Sequence, residues 1–205
     1  MPTSLSNPAD IVNDALRRIG YKLRVAELFD GSEAAGVALD IYGQTRDTML
    51  RDGEWQFCER NVNATLLKQA PPGGYFVPNA WDPTLYPPPP WLYSYAYPDD
   101  CLKVRQLKGQ PMFLLNPDPQ PTLYSIANDN GVTPPVRVIL TNVPDAVLVY
   151  AGRVTNPADW PVDFTEALCA ALARRLAPSL ANLDVTRLEG ADEQAATMMA
   201  SMQQG

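Results

Sequence analysis

Val149-Tyr150-Ala151-Gly152-Arg153-Val154-Thr155-Asn156-Pro157-Ala158-Asp159-Trp160-Pro161 is the stretch on which the fold turns. Its opening continues a run of β-branched and aromatic residues over 146–150, which predicts a strand. Its close sets a tryptophan between prolines, directly before Asp163-Phe164-Thr165-Glu166, whose spacing is that of a capping box with Glu166 reaching back to the cap. Phe164, Leu168, Ala171, Leu172 and Leu176 then mark one helical face, which Pro178 interrupts. The chain leaves β structure here and returns to helix. Trp160 has two readings: a core plug that fixes how sheet and helix meet, or a contact between subunits, where tryptophan is enriched.

The other end of the chain is helical as well. Asn7 caps a helix with Pro8 at its first position and Asp10 in its first turn. Val12, Ala15, Leu16 and Ile19 repeat at helical spacing, Gly20 stops it, and Asp14 and Arg18 pair one turn apart. A second helix starts at Asp30 or Ser32 and ends at Asp52-Gly53. Ala35, Ala38, Leu39, Tyr42 and Met49 are on its apolar face, and Asp40, Arg46, Asp47 and Arg51 face water. Trp55 and Phe57 follow in a short helix or turn that anchors these helices.

Between the ends the pattern is β. Strands are expected at 62–67, 93–97, 102–107, 123–127, 136–141 and 146–150, with 142–145 joining the last two as a hairpin and Asp129-Asn130-Gly131 as a turn. The 21 prolines cluster at 71–72, 87–90, 117–121 and 134–135, so these stretches write loops and extended chain. Residues 69–92 combine prolines with Trp81, Tyr86 and Trp91 and almost no charge. That is an arm. Disordered linkers are poor in aromatics, so this one rests on something, and a neighbouring subunit or partner is the favoured support. The expected architecture is α+β: a helical bundle from residues 1–60 and 161–205, carrying an inserted, mainly antiparallel β subdomain over 61–160 with its arm at about 69–92. A last helix follows Thr186, its narrow stripe of Leu188, Ala191, Ala195, Met198 and Met202 either packed on the bundle or docked on a partner.

Composition bears on function mostly by exclusion. Histidine is absent, which removes the commonest general base and metal ligand. Cys58, Cys101 and Cys169 lie far apart without a CxxC pair and read as small buried residues. No Walker loop, dinucleotide fingerprint or nucleophile elbow is present. Asp99-Asp100 and Asp192-Glu193 read as solvated turn and helix carboxylates. No catalytic, cofactor or metal residue is assigned. A net charge of −7 argues against a general nucleic-acid binder, although an acidic wall can repel a duplex and keep it moving. No apolar run approaches the ~18 residues of a membrane span, and Met1 to Asn7 lack the pattern of a signal peptide.

Four stretches, in order, carry a family resemblance. They are Ala9 to Gly20, then Tyr42, Arg46-Asp47 and Leu50 with Trp55, Phe57 and Arg60, then Tyr97-Pro98-Asp99-Asp100-Cys101-Leu102-Lys103-Val104, and Val149 to Pro161 with the Ala/Leu helix after Phe164. Together they resemble podophage tail tubular protein A and related head-to-tail adaptors, departing at the proline-rich insertion between Gly73 and Trp91. The resemblance implies a structural virion protein, made in the host cytoplasm, that forms a ring of usually 12 copies between the portal protein and the tail nozzle. Double-stranded DNA would pass through its lumen without sequence-specific contact. It implies no catalytic residue and no membrane partner. It makes Leu188, Ala195, Met198 and Met202 the portal-docking candidates, while Trp81, Tyr86, Trp91 and Trp160 are the candidate subunit or partner contacts. The alternatives are a virion-associated hydrolase acting on cell wall or capsule, which needs paired carboxylates in a cleft, and a different connector or nozzle-type tail protein.

Overall fold

The computed structural model describes residues 7–22, 24–75, 81–109 and 122–180. Among them are three α-helices and two antiparallel sheets, an α+β protein. The chain divides into two compact units, one formed by Met1–Cys58 with Arg153–Gly205 and the other by Glu59–Gly152.

The first unit holds the helices. α1 (Pro8–Arg18) starts where Asn7 accepts a hydrogen bond from the Ala9 N–H at 3.0 Å, a cap worth about 1 kcal/mol. The buried side chain of Asn13 accepts from the Val25 N–H and donates to the Val25 carbonyl, both at 2.8 Å, and so ties the following loop to the helix. α2 (Glu33–Asp52) is capped by Ser32, whose side chain accepts from Ala35; Asp30 instead accepts from the N–H groups of Ala26 and Ser32. Leu39 is exposed and does not join the apolar face. Arg46 and Asp47 are also not simply wet, because Asp47 holds Arg46 at 2.7 Å and Arg153 at 2.8 Å.

α3 (Val162–Leu180) packs on both α1 and α2. Two details of its expected shape change. The capping box does not form: the helix opens from Pro161, whose carbonyl accepts from the Thr165 N–H, and Glu166 turns to Arg18. Pro178 lies inside the last turn rather than ending it, because the buried Leu176 and Ala177 hold that turn against the core. Phe164 sits at the middle of an aromatic knot, edge-on to Trp55, Phe57 and Trp160 with each ring centroid 5.1 Å away. Each such pair contributes about 0.5–1.5 kcal/mol beyond the area it buries. Arg153 to Trp160 consequently belong with the helices, and the unit begins at Arg153 rather than Pro161.

The second unit is a pair of sheets. β1 (Glu59–Asn63), β7 (Val147–Gly152) and β4 (Cys101–Lys108) form one, in that order. β2 (Leu66–Gln69), β3 (Tyr93–Ala96), β6 (Val136–Thr141) and β5 (Tyr124–Asp129) form the other. The strand expected over 62–67 is therefore two strands in two sheets. The chain switches at Ala64 and Thr65: the Ala64 N–H donates to Ala146, while the Thr65 carbonyl accepts from Ala96. Residues 142–145 are likewise not a hairpin, since β6 and β7 lie in different sheets. Tyr95 fixes that crossing, its hydroxyl donating to the Val143 carbonyl at 3.0 Å and accepting from the Ala146 N–H at 3.4 Å. The real hairpin joins β5 to β6 through residues 130–135, which open with the turn at Asn130-Gly131. The two sheets share a core of Tyr95, Val104, Leu107, Ile139, Leu148 and Tyr150.

Replacing Phe164 by Ala removes the centre of the aromatic knot. It is expected to destabilise the helical unit by about 3–5 kcal/mol, measured by urea denaturation followed through the far-ultraviolet circular dichroism of the helices.

Candidate functional site

The arm is where the sequence departs most from an ordinary domain, and it lies on its own sheet. β6 reads Val136-Arg137-Val138-Ile139-Leu140-Thr141, and its last four residues are buried on alternate faces. Ile139 faces the shared core; Val138 and Leu140 face the other way, with Ser94 of β3 and Lys68 of β2. Apolar side chains on that outer face need a cover. Residues 81–92 supply it, with Pro87 buried against the sheet.

Polar anchors hold the arm down. Asp82 accepts from the Thr84 N–H at 2.8 Å and opens a turn that returns Tyr86 toward the sheet. Lys68 donates to the Pro83 carbonyl at 2.8 Å, and its ammonium also pairs with Asp129, both side chains nearly buried. The Tyr75 hydroxyl donates to the Pro87 carbonyl. The Leu92 N–H donates to the Asn142 side chain at 2.9 Å. Gly131 makes the closest approach: a Cβ built there would stand 2.1 Å from the Pro83 carbonyl oxygen.

Between arm and sheet remains a hollow of about 170 Å³ with Ser94, Val138 and Leu140 as floor and Trp81 and Tyr86 at its rim. The structure therefore brings Trp81 and Tyr86 together. Trp81 is 46% exposed and Tyr86 half-buried. Trp91 is half-buried just ahead of β3, its backbone N–H donating to the Pro88 carbonyl, and it does not line the hollow. Trp160 belongs to the helical unit, 7% exposed and edge-on to Phe164, with its indole N–H donating to Val154 at 3.1 Å. Leu188, Ala195, Met198 and Met202 lie outside the described residues. Asp129 and Gly131 are legible in the sequence as a turn, but their role and that of Lys68 in anchoring the arm are not. Their partners are remote in sequence, and only the apolar run of β6 signalled that a second face required covering.

The carboxylates considered for chemistry are otherwise engaged or apart. Asp100 accepts from the Tyr150 hydroxyl at 2.8 Å, while Asp99 is exposed in the adjoining turn. Burial, followed by that hydrogen bond, pushes the Tyr150 hydroxyl up to about 12, so it stays a donor. Cys58, Cys101 and Cys169 form no disulfide and are buried, and burial pushes the Cys169 thiol up to about 12. Among the described residues no three of His, Cys, Asp and Glu gather as metal ligands, and no helix is long and apolar enough to cross a membrane. No protein-family model matches the chain, and no curated protein does.

A methyl group at residue 131 cannot coexist with the Pro83 carbonyl where it stands. Gly131→Ala is expected to lift the arm, and limited proteolysis should then cut within residues 75–92 at least several-fold faster than in the wild type. Asp129→Asn, which leaves the Lys68 ammonium buried without its counter-ion, should act in the same direction and cost about 3 kcal/mol, read from the urea midpoint.

Proposed function

We propose that this chain is a structural virion protein, an adaptor subunit that forms a ring between the portal and the tail nozzle of a short-tailed bacteriophage. One observation carries the proposal: helices on either side of the β strands in sequence build one unit, and the strands between them build a second. That order is the one the resembled adaptors have, read as a helical bundle with an inserted β subdomain. The motif residues also have structural work that suits such a part. Trp55, Phe57 and Trp160 gather on Phe164, and Asp47 joins Arg46 to Arg153. These contacts set where the chain leaves the helical unit and where it re-enters.

In this reading about 12 copies close a ring by heterologous contacts, so that each weak contact is multiplied around the ring. The segment carrying Leu188, Ala195, Met198 and Met202 docks on the portal. The net charge of −7 gives the lumen a wall that repels phosphate and lets DNA slide.

Negative-stain imaging of the protein mixed with its portal is expected to show a cap of subunits on the portal ring. Met198→Asp with Leu188→Asp should remove that cap while the far-ultraviolet spectrum stays unchanged. Monomers that ignore the portal, or clearing of a cell-wall zymogram by the purified chain, would overturn the assignment. In particles, reversal of lumen-facing carboxylates to lysine should slow genome ejection, and unchanged ejection kinetics would remove the electrostatic role.

A further inference from the structure

We infer that copies of this chain join edge to edge, β5 of one copy pairing antiparallel with β2 of the next, so that the four-stranded sheet continues from subunit to subunit. The inference names the copy-to-copy surface of the proposed ring and rests on that reading for closure of the ring, not for the contact itself.

Three observations carry it. First, the polarity fits. Each neighbouring pair in the order β2-β3-β6-β5 is antiparallel, so the two edge strands run in opposite directions. A second copy in the same orientation therefore sets its β2 antiparallel to the first copy's β5. The contact is heterologous and can repeat.

Second, one cross-strand row of apolar residues runs through the whole sheet and is open at both ends. Leu66 pairs with Tyr95, Tyr95 with Ile139, and Ile139 with Ile126. The middle residues, Tyr95 and Ile139, are 1% and 0% exposed, whereas Leu66 and Ile126 are 48% and 39% exposed. Pairing β5 with the next copy's β2 extends the row by setting Ile126 beside Leu66, which covers both.

Third, the edges of the two sheets are guarded differently. β4 carries Lys103, Arg105 and Lys108 and two register shifts, and β1 carries Glu59 and Arg60, which are the devices that keep edges apart. β5 is regular along its six residues, without Lys, Arg or Pro, and its single charge, Asp129, is engaged by Lys68. β2 has one register shift, between Leu66 and Lys68, and the pairing with Asp129 turns its only charge onto the outer face. Among the described residues no strand pairs with the far side of β5 or of β2.

The test uses Ile126→Lys and Leu66→Lys, both at exposed positions, with Ile126→Thr and Leu66→Thr as milder substitutes should either lysine variant fail to fold by circular dichroism. Sedimentation velocity and native mass spectrometry of the wild type are expected to show oligomers, and each variant alone should associate roughly tenfold or more weakly. A mixture of the two should form one-to-one dimers and stop, because Leu66→Lys retains an intact β5 edge and Ile126→Lys an intact β2 edge. Three results would overturn the inference. They are a wild type that stays monomeric to ~1 mM, oligomers indifferent to both substitutions, or association lost only with Ile126→Lys, which would mark a symmetric β5 contact. No portal is needed, so failure here is distinct from failure to cap the portal.

Discussion

β6 has apolar side chains on both faces, and most of the second unit follows from covering them. Val138 and Leu140 point one way and Ile139 the other, and all are buried. A strand of this kind must lie inside a layered arrangement. The inner cover is the sheet of β1, β7 and β4. Reaching it obliges the chain to change sheets four times, at Ala64-Thr65, between β3 and β4, between β4 and β5, and between β6 and β7. The last change passes through Asp145 at a positive φ of 46°, which an aspartate tolerates better than most residues. There the Tyr95 hydroxyl satisfies a donor and an acceptor that a buried crossing would otherwise strand. The outer cover is the proline arm. Proline suits it because a cover lying over side chains has no strand to hydrogen-bond, and a chain with few N–H groups leaves few of them unsatisfied.

In the helical unit the governing contact joins segments about a hundred residues apart. Phe164 on α3 receives Trp55 and Phe57 from the end of α2 and Trp160 from the return of the β region. Each indole N–H is satisfied locally, Trp55 by Met49 and Trp160 by Val154, so both large rings bury without a lost hydrogen bond. Salt bridges add location more than energy. Arg18 reaching Glu166 and Asp47 reaching Arg153 are partly exposed pairs, of the kind that contributes little to stability. They orient the ends of elements already held by apolar contact.

Features written in local chemistry were legible in the sequence. The Asn7 and Ser32 caps, Pro8, the stop after α2 and the positions of β3 to β7 all rest on neighbours within a few residues, where propensity and capping act. What escaped was decided at long range. Glu166 had a local use as a capping-box partner, and Arg18, remote in sequence, took it instead. A strand pattern over 62–67 says nothing about which sheet each half joins, so one expected strand became two. The four residues after β6 have the length of a hairpin loop, and only the two-sided burial of β6 and β7 shows that they cross between sheets. In the arm, tryptophan and tyrosine pointed to support from somewhere. The support being the chain's own sheet depended on Gly131 and the Lys68–Asp129 pair, neither of which has any signature short of the fold.

The distribution of polar groups bears on what kind of work the molecule does. Several buried or partly buried polar groups have their partners within the fold: Asn13 in the Val25 backbone, Asp100 in Tyr150, Lys68 in Asp129 and Pro83, and Tyr95 in the crossing loop, while the buried Tyr42 hydroxyl has none among the described residues. What the surface leaves unfinished is of another kind. Leu66 and Ile126 end a row that stops at the sheet edges, and Trp81 stands at the rim of the arm. Such features gain by meeting another surface, and each gains little alone. The excess of acidic residues adds a general repulsion between copies, which such edges have to overcome. In the proposed ring the same modest contacts would act at high effective concentration and sum from copy to copy. Weak, repeated, directional edges suit the assembly proposed above, because each becomes effective only when its neighbours are held in place.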